Sequence, residues 1–401
     1  MTSAEHHAPS TLPLSSTVIL NVAHSLDHMF LLIFAAAISS IALEFGLARW
    51  EDLMPYGVGA FVMFGLGSIP AGRLGDLWGR RAMMLVFFAG MGCSTILAGF
   101  AQSPLQLGAA LTLVGTFCAI YHPVGIPMIV QGVRNPGATI GVNGFAGNLG
   151  VALAALVTGF LVQWFGWRAA FIIPGVIALA CGVIFALITP PEQQAPARRL
   201  SPAAKPLPDH LLIRVLAVVT ATGLSGNLLF QFATNGNSRL LTERLQGILS
   251  DPATIGALLA LIYGIASLAQ VTVGRLIDRM PLRKLYCTIV LCQIPMLLAA
   301  AFAQGWLFFV LLLGTMICIF GAIPFTDAVV VRFVEDRMRS RVAGMRTAIS
   351  FGGSALAVWA LGPIVKSVGF DWLLVLMAGI SICTASLASL LPREAGGSPQ
   401  A

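Results

Sequence analysis

Charged residues are scarce in this sequence. Only 10% of its 401 residues are Asp, Glu, Lys or Arg, whereas 57% are hydrophobic, and a typical soluble domain carries about 25% charged residues. A water-soluble fold of this length could not cover its surface with so few charges. The composition therefore excludes the soluble globular classes and favours a membrane protein, in which each spanning helix needs about 20 mainly apolar residues.

Sequence patterns of several enzyme and metal classes are also lacking. The seven cysteines show no CxxC spacing and all fall in apolar segments, so we interpret them as small buried residues rather than as a disulfide or metal framework. No Ser-His-Asp set, HExxH motif or phosphate-binding loop fits its context, so we expect no enzymatic activity, no cofactor and no bound metal. The first sixteen residues lack a basic region and a cleavage site, so we expect the first apolar segment to stay as a helix.

Apolar segments separated by Pro, Gly and charged residues predict twelve helices. We place them at 17–43, 54–73, 82–101, 104–131, 137–163, 168–189, 212–236, 253–275, 284–303, 306–331, 341–365 and 371–391. A Pro-rich polar stretch after the sixth helix cannot lie in hydrocarbon and predicts a linker. The predicted fold class is an all-α integral membrane protein, with an N-terminal six-helix bundle (1–190), a cytoplasmic linker (191–210) and a C-terminal six-helix bundle (211–401).

Basic residues fall mainly on alternate loops, which explains the net charge of +7 without a nucleic-acid partner. If the N-terminus is cytoplasmic, most of them lie on the cytoplasmic side. The exceptions are Arg49, Arg168, Arg239, Arg244 and Lys366. The positive-inside rule then predicts that both termini are cytoplasmic, in a bacterial-type inner membrane.

The two predicted halves repeat one another. GRLGDLWGRR at 72–81 matches GRLIDRMPLRK at 274–284 at an offset of 202 residues. Pro123 likewise corresponds to Pro324, and similar offsets recur along nearly the whole half, which indicates duplication. In duplicated transporters the substrate site lies near the bilayer midplane between the repeats, and rocking of the halves alternates access to it.

The first copy resembles the signature loop of the major facilitator superfamily, between its second and third helices. The resemblance implies a twelve-helix transporter that works as a monomer by alternating access, with a cytoplasmic latch that holds the outward-open state. Asp76 is expected to meet the N-terminus of the eleventh helix, near Arg341, and the arginines to meet lipid headgroups or the carboxylates of Glu335 and Asp336. The expected latch residues are Gly72, Asp76, Gly79, Arg80 and Arg81, with Gly274 and Asp278 in the second copy.

Ionisable residues of the first helix form a candidate proton-coupling site. His24 and His28 share one helix face, and Asp27 lies beside them. A charged group in hydrocarbon costs several kcal/mol unless it has a partner or faces water. We expect His24, Asp27 and His28 to form a proton relay with His122 of the fourth helix. Two alternatives stay open: histidines that only hydrogen-bond neighbouring helices, and a metal site of His24, Asp27 and His28.

Further patterns resemble drug-exporting branches of the superfamily. The His-x-x-Asp of the first helix, the His-Pro at 122–123 and the Gly-x-Asn pattern of the fifth helix resemble the fosmidomycin-resistance branch, which is expected to have an acidic segment where this chain has Val124 and Gly125. A glycine stripe resembles the fifth helix of exporters, without their Gly-Pro pair, and close helix packing is the alternative. The stripe comprises Gly141, Gly144, Gly147 and Gly150.

The second half supplies most of the candidate substrate-binding residues. Asn227, Gln231 and Asn235 recur at helical spacing, and this amide stripe is expected to line the central cavity together with Asn21. Asp327 is the second half's candidate proton-coupling group, and Arg346 is a candidate for binding an anionic solute. The alternatives are amides that only join helices, and a structural ion pair of Asp327 with a nearby arginine.

Together these patterns predict a secondary transporter of a small organic solute, coupled to protons and more typical of an exporter than of an importer. The alternatives are an uptake permease for a small metabolite and, in a different class, a membrane receptor or sensor that has lost transport. The expected partners are the solute, protons and membrane lipids, without nucleic acid, and the expected state is a monomer.

Overall fold

The computed structural model describes residues 11–47, 50–192, 194–198, 209–249 and 252–391. This part of the chain contains helices and no β-strand, which confirms the all-α class. The α-helices are α1 (Leu14–Glu44), α2 (Val58–Trp78), α3 (Arg80–Gly99), α4 (Pro104–Cys118), α5 (Ile126–Ile129), α6 (Pro136–Phe165), α7 (Trp167–Ile188), α8 (Asp209–Arg244), α9 (Pro252–Ile277), α10 (Leu282–Phe302), α11 (Gly305–Ala322), α12 (Pro324–Phe333) and α13 (Asp336–Ala388). The predicted linker lies in large part outside the described residues, as do Arg49, Arg199, Lys205 and Arg393.

Eleven helices among the described residues are long and apolar enough to cross a membrane. The remaining predicted segment, 341–365, is also helical and forms the first part of α13. Gly369 interrupts α13 with a φ of +80°, a left-handed value that glycine adopts without strain, so α13 consists of two consecutive segments. All twelve predicted segments are therefore helical.

Two of the predicted helices are distorted rather than regular. The segment predicted at 104–131 ends as an α-helix at Cys118 and then passes through a π-helical turn, Tyr121–Gly125. The segment predicted at 306–331 divides at Ile323, between α11 and α12. A proline lies at each break, where it lacks the N–H of a continuing helix and crowds the preceding turn. Each predicted segment still forms one candidate membrane span, Pro104–Ile129 and Gly305–Phe333, with a local distortion next to its proline.

Small residues let three long helix pairs pack closely. α1 packs along α6, α6 along α9, and α2 along the first part of α13. A Cβ on Gly72 would collide with the carbonyl of Ser340, and a Cβ on Gly141 with that of Gln270. Such close backbone contact is what associates helices in lipid, where no hydrophobic force draws them together. The α2–α13 and α6–α9 contacts connect the two predicted halves.

Carboxylates from both repeat copies bind backbone N–H groups of the opposite half. The carboxylate of Asp278 accepts the N–H groups of Gly137 and Ala138, both at 2.8 Å, in the first turn of α6. Asp76 accepts the N–H of Arg341 at 2.9 Å. A helix carries partial positive charge in its first turn, which favours the Asp278 carboxylate there. Arg341 is instead the sixth residue of α13, so Asp76 meets the second turn of that helix and not its N-terminus as predicted. We call this end of the bundle, which carries both repeat loops, the basic end.

The two arginines of the first copy bind differently. Arg80 is fully buried and donates to Ser340 Oγ at 3.0 Å and to the carboxylate and carbonyl of Asp336, both at 2.8 Å. Arg81 donates to two backbone carbonyls at the end of α7, both at 2.8 Å. Because α13 begins at Asp336, five residues before the predicted start, this carboxylate is fixed within reach of Arg80.

Ion pairs at the opposite end stay within one predicted half. Arg168 pairs with Glu44 at 2.5 Å, and Arg244 pairs with Asp371. The positions correspond in the repeat, with the charges exchanged. The hydrogen bonds of Asp76, Arg80 and Asp278 join the two halves at the basic end. The halves are therefore closed together at that end.

We expect Asp278→Ala to open the basic end to a similar extent as Asp76→Ala. Each substitution removes charge-assisted hydrogen bonds worth about 1.5–3 kcal/mol, which shifts an opening equilibrium by roughly 10- to 100-fold. Distances between spin labels on the two halves at the basic end, measured by electron paramagnetic resonance in nanodiscs, report this shift. Glu44→Ala breaks an ion pair inside one half and should leave the distances unchanged. Wild-type distances in Asp278→Ala would show that the second copy holds no latch.

Candidate functional site

Three histidines meet in the interior of the first half. The π-helical turn after α4 places His122 against α1, where His24 and His28 lie one turn apart. Their ring centroids are 4.9 Å apart for His24–His28, 5.1 Å for His24–His122 and 5.5 Å for His28–His122. The predicted convergence of these side chains is therefore present. It is not the His24, Asp27 and His28 set considered as a metal site, because Asp27 faces His122 instead.

Hydrogen bonds assign the proton positions on two of these rings. His24 Nδ1 lies 2.7 Å from the carbonyl oxygen of Asn143, and a carbonyl only accepts, so Nδ1 carries a proton. In neutral His24 the Nε2 atom is then an acceptor. His28 Nε2 lies 3.2 Å from it and donates its proton there. The two imidazoles thus form a directed hydrogen-bonded pair.

Asp27 faces His122 without a hydrogen bond. The Asp27 side chain is fully buried, and its Oδ2 lies 3.8 Å from His122 Nε2, too far for a direct hydrogen bond. Among the described residues, neither carboxylate oxygen nor His122 Nε2 has a hydrogen-bond partner. A buried ionised carboxylate without hydrogen bonds is costly. A proton on either group would satisfy an atom of each only after the two side chains have moved closer, to hydrogen-bond distance.

Asn143 joins the histidines to the surrounding helices. Its side-chain amide donates to Tyr121 Oη at 2.7 Å and to Asn21 Oδ1 at 2.9 Å. Tyr121 donates in turn to the carbonyl of Leu20 at 2.8 Å, and its ring stacks on His24 at 4.6 Å. Asn21, which was predicted to line a substrate cavity, here accepts from Asn143, and neither Asn143 nor Tyr121 was predicted from the sequence. In the sequence, Tyr121 is marked only by its position next to His122, and Asn143 only by its position between Gly141 and Gly144.

The glycine stripe of α6 serves two interfaces. A Cβ on Gly147 would lie 2.7 Å from the His24 ring, so the absent side chain makes room for the imidazole. Gly150 lies against the carbonyl of Ser25, which is on α1 like His24. Gly141 and Gly144 face Gln270 of α9. The geometry favours the close-packing explanation of the stripe and gives it a specific task at His24.

The predicted polar residues of the second half form two groups, one around Arg346 and one along the amide stripe of α8. Arg346 of α13 binds Asp327 and Thr326 of α12. Asn227 donates to the carbonyl of Ser350 at 2.7 Å. Gln231 lies one turn further along α8 than Asn227, and Asn235 lies two turns further. The Gln231 side chain accepts a hydrogen bond from Asn235 at 3.1 Å, and Asn235 is exposed.

An aromatic pair lies between the polar groups of the two halves. Phe351 of α13 meets Phe64 of α2 edge to face, with ring centroids 4.7 Å apart. The Phe351 centroid also lies 5.8 Å from that of His122. Arg346 precedes Phe351 on the same helix by little more than one turn. The histidine group and the arginine group therefore face each other across a single aromatic layer, above the closed basic end.

Curated relatives were found among bacterial transporters. A probable actinorhodin transporter of Streptomyces coelicolor is 35% identical over 35% of this chain and 25% of its own length. A probable 4-methylmuconolactone transporter of Cupriavidus pinatubonensis is 34% identical over 39% of this chain and 38% of its own length. The chain thus spans well under half of these two proteins. The multidrug resistance protein MdtG of Citrobacter koseri is 24% identical over 81% of both chains.

Solved structures share the fold over almost the whole chain. The proton:xylose symporter XylE superposes with a TM-score of 0.75 at 12% identity, covering 94% of this chain and 96% of its own. FucP in its outward conformation superposes with a TM-score of 0.74 at 13% identity, covering 94% and 99%.

A family model provides the assignment. The model of the Major Facilitator Superfamily matches residues 20–242 and 223–401, which include both repeat copies and the histidine group. The matched ranges, the twelve helical segments and the shared fold agree. The chain therefore belongs to the Major Facilitator Superfamily of small-solute membrane transporters.

Proposed function

We propose that this protein is a proton-coupled secondary transporter that exports a small organic solute across a bacterial inner membrane by alternating access. The observation that carries the proposal is the fully buried Asp27 carboxylate, 3.8 Å from His122 and without a hydrogen bond in the described part of the chain. Buried ionisable groups in a membrane are costly to keep, and they commonly mark proton pathways.

The closed basic end corresponds to one conformation of the alternating-access cycle. If the basic end faces the cytoplasm, as the positive-inside rule predicts, the two halves are closed on the cytoplasmic side. The contacts of Asp76 and Asp278 with backbone N–H groups of the opposite half then hold this state. Opening them would give the central groups access to the cytoplasm, without a change inside either half.

The histidine group supplies a relay from Asp27. A proton on the Asp27–His122 pair is within ring-contact distance of His24, and the His24–His28 pair is already hydrogen-bonded. Imidazoles can both accept and donate near neutral pH. Coupling follows if the solute is bound most favourably in one protonation state of this group, because a solute shifts an equilibrium only by its differential affinity.

Export is supported by the relative named as a multidrug resistance protein, which matches over 81% of both chains. Uptake is the second candidate, and the amide stripe of α8 is compatible with either direction. We carry over the monomeric state and the lipid and proton partners from the family resemblance as parts of the same proposal.

We expect Asp27→Asn to abolish solute-dependent proton flux, because the amide cannot exchange a proton. The purified protein is reconstituted in liposomes that contain a pH-sensitive dye, and ethidium, benzoate, 2-naphthoate and their neutral amides are added in turn. Wild type should respond to at least one solute, and Asp27→Asn should respond on the order of 100-fold more slowly. Asp371→Asn, which alters an exposed carboxylate of the opposite end, is the control. Undiminished flux in Asp27→Asn would make this residue structural.

We expect Asn143→Ala to slow the same flux roughly 30-fold, because it removes two hydrogen bonds worth about 1 kcal/mol each. These bonds position Tyr121 and Asn21 beside His24. Asn148→Ala is the matched control on the same helix, since the buried Asn148 amide nitrogen has no partner among the described residues. Equal rates in the two variants would remove Asn143 from the relay, provided that both fold as judged by thermal unfolding.

A further inference from the structure

We propose that Arg346 is an anion-binding group of the transport site, and that the solute carries a carboxylate or similar anionic group which replaces Asp327 on it. This inference rests on the proposed transport function and adds the chemical class of the solute.

The Arg346–Asp327 pair uses only part of the arginine. Arg346 Nη2 donates to Asp327 Oδ1, and Nη1 donates to Thr326 Oγ1. Nε shares one edge of the guanidinium with Nη2, yet it has no partner among the described residues although its side chain is 90% buried. Carboxylates bind best across such an edge, through two parallel hydrogen bonds. Asp327 occupies half of that edge and leaves the other donor unmet.

A free carboxylate is better placed to use the whole edge. Asp327 is attached to α12 close to its first turn, so the helix backbone limits how its two oxygens can turn toward Arg346. A solute has no such restraint, and it would satisfy both Nε and Nη2. The exchange replaces one ion pair with another: the solute carboxylate enters, and Asp327 takes up one proton from the bulk solution, so the net charge beside Arg346 is unchanged.

Neighbouring groups fit the same ligand. The Ser350 hydroxyl lies one turn along α13 from Arg346 and has no partner in the described part of the chain. A Cβ on Gly223 would lie 3.2 Å from this hydroxyl and 3.3 Å from the Thr326 methyl, so α8 leaves this place free of side chain. Phe351, the residue after Ser350, adds an apolar ring whose centroid lies 5.8 Å from that of His122. These groups suit an anion attached to an aromatic or apolar body.

Another Arg–Asp pair of the same half provides a matched control. Arg244 pairs with Asp371 at the opposite end, where Asp371 is half-exposed, and the Nε of Arg244 likewise has no partner among the described residues. If Asp327 served only as an ion-pair partner, Asp327→Asn and Asp371→Asn should change the affinity for a carboxylate to the same extent.

Binding is measured on the purified full-length protein in nanodiscs, with no proton gradient. Acetate, benzoate and 2-naphthoate are each compared with the matching neutral amide by thermal shift and calorimetry. We expect at least one carboxylate to bind wild type at least tenfold more tightly than its amide. Arg346→Gln should abolish that preference, and Arg346→Lys should weaken it on the order of tenfold, because lysine keeps the charge and loses the fork.

The sign of the Asp327 effect is decisive. Asp327→Asn should bind the same carboxylate more tightly than wild type, because the competing acid has gone, whereas Asp371→Asn should not change the affinity. No carboxylate preference in wild type, or unchanged preference in a folded Arg346→Gln, would overturn the proposal. Weaker binding in Asp327→Asn would also overturn it, since Asp327 would then support rather than compete with the anion.

These outcomes are separate from those of transport. Carboxylate binding without proton flux in liposomes would leave the anion site standing and contradict proton coupling. Proton flux driven by ethidium or an amide, with no carboxylate binding, would support proton coupling and contradict the anion site.

Discussion

The cost of an unpaired polar group in hydrocarbon is the constraint on which the rest of this structure depends. With water excluded, each backbone group and each charge needs a partner inside the protein. The helices satisfy the backbone, and the buried Arg80 is satisfied by Ser340 and Asp336. Several buried polar atoms of the described residues nevertheless have no hydrogen-bond partner, and the Asp27–His122 pair and the Nε of Arg346 are the ones that lie near the aromatic pair between the halves and next to an ionisable partner. At these two places a proton or a solute would supply the missing partner.

The duplicated sequence gives both halves the same device for closing one end. Asp76 and Asp278 each bind backbone N–H groups near the start of a helix in the other half. The contacts are few, charge-assisted and confined to the basic end, so they can be broken without unpacking either half. The same duplication has diverged in the centre, where the first half carries histidines and an acid and the second half an Arg–Asp pair. Symmetric gating with asymmetric chemistry suits a transporter that must move two different species.

Much of the fold could be predicted because hydrophobic length and turn residues are local properties. The twelve segments, the repeat and the approach of His24, His28 and His122 all followed from spacing along the chain. The π-helical turn at Tyr121–Gly125 did not, because it depends on how Pro123 and the neighbouring helices divide the space. Asn143 was missed for a related reason: its partners come from α1 and α4, and only tertiary packing shows which side of a glycine-rich helix faces them. The side of α13 on which Arg346 meets α12 likewise depends on tertiary packing.

The central claim is that Asp27 couples solute movement to protons without being needed for the solute to move. The most direct measurement compares two modes in liposomes for a solute that wild type transports: exchange of labelled for unlabelled solute at equal pH, and accumulation driven by an imposed pH gradient. Wild type should perform both, whereas Asp27→Asn should retain exchange and lose the response to the gradient. Gradient-driven accumulation by Asp27→Asn at the wild-type level would contradict the account.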